Sequence, residues 1–123
     1  MFPYYYKNGE LFGMHLESYG SNDEGLVAMM KAEEAFFLQQ NRTIGIWLNF
    51  YGTDLTDRAL AQLIEMISHL RERISRLSLV GCSFWDRRKI NRLIRRSDIR
   101  PSLPVRYFSD PEAAKTWLVS ERV

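Results

Sequence analysis

An α/β fold on a mainly parallel, four- to five-stranded mixed sheet is the architecture this 123-residue sequence predicts. Short apolar runs of β character alternate with segments of helical apolar spacing. Turn-forming residues separate them, and loops this short demand crossover connections between neighbouring strands. Apolar residues make up 46% and charged residues 26%, which excludes a collagen-like or disordered chain and leaves room for one core. The expectation is a single domain over 1–123 with element order β-β-α-β-α-β-α-β-α.

Phe2 to Tyr6 and Glu10 to Glu17 flank Lys7-Asn8-Gly9, and Asn-Gly accepts the positive φ angles of a tight hairpin turn. Asn22 can cap a helix whose Leu26, Met29, Met30, Phe36 and Phe37 fall at helical spacing. Thr43 to Phe50 is apolar almost without alternation, as in a central strand covered on both faces. Thr56 or Asp54 can cap a long helix bearing Leu60, Leu63, Ile64, Ile67, Leu70 and Ile74. Leu77 to Cys82 reads as a short strand. Ser83 introduces a basic helix with Ile90, Leu93 and Ile94 on its buried side. A turn through Arg100 to Pro104 leads to the strand Val105 to Phe108. Ser109-Asp-Pro-Glu112 has the form of a capping box before a helix faced by Ala114, Trp117 and Leu118.

Net charge is only +2, but residues 1–57 hold 3 bases and 8 acids, whereas 58–123 hold 14 bases and 7 acids. Within 71–100, 10 Lys/Arg face 3 Asp/Glu, a dipolar arrangement able to orient an acidic partner. A solvated helix surface explains the same run more simply. The one cysteine, Cys82, excludes an internal disulfide and a Cys-rich zinc site. No apolar run approaches the roughly 20 residues of a membrane span, and the start lacks a signal peptide's pattern, so a cytoplasmic location is expected.

Catalytic patterns are absent from the sequence. His15 and His69 lack any metal-ligand spacing, and the 7 glycines form neither a phosphate loop nor a nucleophile elbow. Glu33-Glu34 and Asp54/Asp57 are carboxylate pairs, and acids at a helix start stabilise its positive end without any catalytic purpose. Cys82 could be activated at a helix start, but a buried structural thiol is the simpler reading. The expectation is a protein that is not an enzyme and uses no cofactor or metal. Arg87, Arg88, Lys89, Arg92, Arg95 and Arg96, with Trp85, could contact nucleic acid phosphates. With no helix-turn-helix partner beside them, an acidic protein surface fits equally well.

The layout, together with Ile46-Trp-Leu-Asn-Phe-Tyr-Gly-Thr-Asp-Leu-Thr-Asp-Arg-Ala-Leu60 and Ile90-Asn-Arg-Leu-Ile-Arg-Arg-Ser-Asp-Ile99, resembles the STAS family of sulfate-transporter and anti-sigma-factor-antagonist domains. The first segment is similar to that family's apolar strand followed by Asp-Ser-Ser-Gly-Leu, and the second to its Val-Lys-Arg-Leu-Phe-x-x-Ser-Gly-Leu helix. The ending Phe108-Ser-Asp-Pro-Glu-Ala-Ala-Lys-Thr-Trp-Leu118 resembles its closing acidic turn and Ala-rich helix. In the family's antagonists a serine or threonine at the head of the long helix is the phosphorylation switch. By position it falls here on Asp57 or Arg58, with Thr56 where an Asp would stand and Ala59 in place of Gly. Asp57 would supply a permanent negative charge weaker than a phosphate's roughly −2, Arg58 would pair with it or repel a basic partner, and Thr56 is the fallback phosphosite.

The resemblance implies a regulatory protein-binding module of bacterial-type signalling, its partner an anti-sigma-like regulator. The expected partner surface is Asp54, Thr56, Asp57 and Arg58 with Trp85, Arg87 and Arg88, because loops after successive parallel strands gather at the strands' carboxyl ends. A lipid or small apolar ligand carrier of the same fold, with a homodimer among its signs, is the alternative. Nucleic-acid binding through 85–96 is a weaker one.

Overall fold

The computed structural model describes residues 3–7, 9–99 and 103–120. Its elements are β1 (Pro3–Tyr6), β2 (Gly9–His15), α1 (Asp23–Leu38), β3 (Ile44–Asn49), α2 (Asp57–Leu70), β4 (Ile74–Val80), α3 (Phe84–Arg95), β5 (Val105–Phe108) and α4 (Pro111–Val119). The strands lie side by side in the order β1-β2-β3-β4-β5. β1 and β2 form an antiparallel hairpin at one edge, and every later pair is parallel. This is the mixed five-stranded α/β sheet expected, with β3 in the middle.

Helix placement follows from that order. Successive parallel strands laid down in one direction, each joined by a right-handed crossover, put all their connecting helices on one face. Leu26, Met30 and Phe37 of α1, Leu60, Leu63 and Ile67 of α2, and Ile90 of α3 accordingly share one core with Phe12, Met14, Ile46, Leu48, Leu77 and Leu79. α4 covers the opposite face, setting Ala114 and Leu118 against Leu11, Trp47 and Val80. In β3 the side chains of Ile46 and Leu48 enter one core and Trp47 the other. Burial on both faces removes the hydrophobic alternation of a half-exposed strand.

Four local expectations need correction. Ile74 does not end the long helix. The chain tightens into a 3₁₀ turn at Arg71–Arg73, and Ile74 opens β4 opposite Ile44. Four residues beyond Leu70, an isoleucine satisfies helical spacing and strand alternation alike, and pairing with β3 decides between them. β4 therefore starts three residues earlier than the Leu77 to Cys82 run and stops at Val80. The last helix is not capped by Ser109: the side chain of Asp110 accepts from the Glu112 amide at 3.1 Å, and Pro111 fills the first helical position. That shift leaves Glu112 one position short of a capping box, and its carboxylate accepts the Tyr6 hydroxyl instead. In the hairpin turn Lys7 takes positive φ (54°) while Gly9 does not. Asn8, and Arg100 to Ser102 of the turn before β5, lie outside the described residues. On α1, Leu26, Met30 and Phe37 are buried, whereas Met29 and Phe36 are only half-buried although they share the same apolar spacing, and Glu33 is buried.

Candidate functional site

The loops after β3, β4 and β5 meet at the carboxyl edge of the parallel strands. The Phe50 amide donates to the Val80 carbonyl at 2.8 Å, holding the exits of β3 and β4 together. Gly81 then turns at φ 84°, so close to the next loop that a Cβ there would lie 2.7 Å from the Tyr51 nitrogen. The Tyr51 hydroxyl donates to the Ser109 carbonyl and ties in the exit of β5. On the other side, the loop Tyr51 to Thr56 is laced to the β2–α1 connection. Ser18 donates to the Tyr51 carbonyl and Asp54 to the Gly20 carbonyl, both at 2.8 Å, and the Thr53 hydroxyl donates to the Leu16 carbonyl at 2.6 Å. Satisfied backbone groups on both flanks make this loop a fixed platform.

Thr56 caps α2, its hydroxyl oxygen accepting from the Ala59 amide at 3.2 Å. Asp54, Asp57 and Arg58 are exposed, and among the described residues none of the three makes an ion pair. Ser83 caps α3 through the Asp86 amide at 3.1 Å. Immediately after it, Phe84 and Trp85 stand 62% and 68% exposed, their rings edge to face at 5.4 Å. The Arg88 guanidinium lies 5.7 Å from the centre of the Phe84 ring. Arg87 departs from the expected surface. Half-buried, it donates from Nε to the Cys82 carbonyl at 3.3 Å and stacks on Tyr107. The reason is helical phase: positions 87, 90 and 94 share a face, and Ile90 and Ile94 turn that face to the core.

Between α2 and α3 the structure opens a groove of about 270 Å³ lined by Asp57, Leu60, Ala61, Lys89, Arg92, Leu93 and Arg96. Sequence reasoning missed it because half of it belongs to each helix. The available signal was the i, i+3, i+7 spacing of Lys89, Arg92 and Arg96, which places three cations along one side of α3.

Other reactive groups are occupied. Cys82 is buried, and burial pushes its thiol up to about 12, which keeps it protonated at neutral pH. Nδ1 of His15 lies 3.0 Å from Glu17, and Nδ1 of His69 lies 3.1 Å from Glu34. Among the described residues no group of three or more His, Cys, Asp or Glu could hold a metal ion, and no helix is long and apolar enough to cross a membrane. No family model, curated protein or solved structure matches the chain.

Proposed function

We propose that this protein is a regulatory, protein-binding module without catalytic activity of its own, built like the STAS-type anti-sigma-factor antagonists but without their phosphorylatable serine. The observation that carries this reading is the exposed Phe84–Trp85 pair, mounted on a capped helix start beside the fixed Tyr51 to Thr56 platform. Large rings left in water on a rigid edge gain most by being covered, and aromatic residues with neighbouring arginines dominate binding energies when desolvated. Asp57 adds a standing negative charge at the start of α2. A partner that reads this standing charge binds without a phosphorylation step at position 57, and Thr56, whose hydroxyl oxygen caps α2, is the fallback phosphosite. An apolar-ligand carrier needs an enclosed apolar cavity, whereas the α2–α3 groove is open to solvent and rimmed by charged side chains.

Affinity capture from the native cell with the full chain, followed by titration of the purified partner, tests the proposal. Trp85→Ala is expected to weaken that partner by about 2 kcal/mol, roughly 30-fold. Lys115→Ala, on the opposite face, leaves the affinity unchanged. A partner indifferent to Arg58→Ala, Trp85→Ala and Arg88→Ala, with the fold intact, refutes the proposed surface.

A further inference from the structure

We infer that the α2–α3 groove is the seat of one acidic amphipathic helix of a partner protein, an inference that rests on the protein-binding reading and gives the partner its chemistry. The floor is apolar: Leu60 and Ala61 from α2 face Leu93 from α3. Ala61 is exposed and short, so the two helices leave between them a furrow into which a third helix can lay its ridge of side chains. At about 270 Å³ the recess is small, at the lower edge of the usual small-molecule range of roughly 300–1,000 Å³. It suits the one or two aliphatic anchors that a docked helix presents at i, i+3 and i+4.

Charge identifies what flanks those anchors. Lys89, Arg92 and Arg96 rim the groove, and among the described residues none of them makes an ion pair. Three arginines elsewhere are engaged by contrast: Arg71 lies 3.3 Å from Asp98, Arg73 donates to the Leu38 carbonyl at 2.7 Å and Arg76 to the Ser120 hydroxyl at 2.9 Å. The three groove cations are spread over about 10 Å of helix axis, the rise of two turns. Glutamates repeating along one side of a facing helix match that ladder. Asp57, the one acidic side chain in the lining, repels an acid at its end of the groove, so the partner's carboxylates sit along α3 and away from the start of α2. Nucleic acid brings no aliphatic anchor for Leu60, Ala61 and Leu93, and it meets the same repulsion from Asp57.

The test uses the full chain and a fluorescein-labelled, helix-stapled peptide of leucine, glutamate and alanine, with leucines three and four residues apart on one face and glutamates beside them, read by anisotropy at about 0.1 M salt. Saturable binding is expected, weakened at least tenfold both by Ala61→Trp, which fills the furrow, and by Arg92→Glu with Arg96→Glu. A peptide with lysine in place of glutamate is expected to regain affinity for the charge-reversed protein. Both sets of substitutions fall on exposed positions, and unchanged thermal melting verifies the fold.

Absence of binding, equal affinity for a scrambled peptide of the same charge, or indifference to these substitutions overturns the inference. So does tighter, Arg92- and Arg96-dependent binding of single-stranded DNA or phosphatidylglycerol vesicles. A native partner released by Trp85→Ala but not by Ala61→Trp sinks the groove while leaving the wider interface standing. The reverse pattern sinks the aromatic edge and keeps the groove.

Discussion

Replacing Gly81 by alanine strikes the joint between the two loops of the proposed surface. At φ 84° an L-residue is strained, costing about 1–2 kcal/mol. The new Cβ would also stand 2.7 Å from the Tyr51 nitrogen, 2.9 Å from its ring and 3.0 Å from its Cα, and backbone atoms cannot swing aside as a side-chain tip can. Overpacking of this kind costs about 1–3 kcal/mol. The stiffer unfolded chain returns about 0.4–1 kcal/mol, leaving a net loss of about 1–4.6 kcal/mol. For a chain of this length 1 kcal/mol moves the melting temperature by about 4 °C, so Gly81→Ala should lower Tm by about 4–18 °C. Gly20 provides the control, having positive φ (56°) but nothing within 4 Å of an added Cβ. Gly20→Ala carries the φ cost without the clash and should cost about 0–1.6 kcal/mol, or about 0–6 °C. Thermal unfolding followed by circular dichroism measures both. Equal shifts in the two variants would refute the claim that contact with the Tyr51 backbone, rather than φ alone, demands glycine at position 81.

Thr56→Ala removes the α2 cap and should lower stability by about 1 kcal/mol in denaturant titration, with no change in the slope. The Cys82 thiol should resist a disulfide reagent at pH 8 in the folded protein and react at once in denaturant. Its folded pKa of about 12 exceeds the ordinary 9.0, so the unfolded state ionises first. The stability it contributes is therefore complete below pH 9 and lost between about 9 and 12, a fall that Cys82→Ala should reduce. Burial raises the pKa of Glu33, whose Oε2 has no hydrogen-bond partner. Its stabilising share is present at acid pH and disappears as pH rises through the folded pKa. Glu33→Gln should flatten that part of the stability profile, measured by urea titration between pH 4 and 7.

The features legible in the residues alone are local ones. Asn22 and Ser83 each cap the helix they precede, and of the two candidates for α2 the cap is Thr56 and not Asp54, because a cap is a bond across three residues and needs no distant partner. The unbroken apolar run at 44–48 belongs to the middle strand, since burial on both faces leaves no polar side to alternate with. The short connections demanded crossovers and so a mainly parallel sheet, and with it the gathering of the loops after β3 and β4 at one edge; the side-by-side order β1-β2-β3-β4-β5 is a tertiary outcome. Tertiary structure decided what local signals leave degenerate. Ile74 suits helix and strand equally until Ile44 pairs with it. Arg87 reads as one more surface cation until the phase of α3 turns it towards Cys82 and Tyr107. The groove required Ala61 and Leu93, 32 positions apart in the chain, to face each other across two helices. Such a contact is set by how the sheet spaces the helices, a property that no periodicity within either helix encodes.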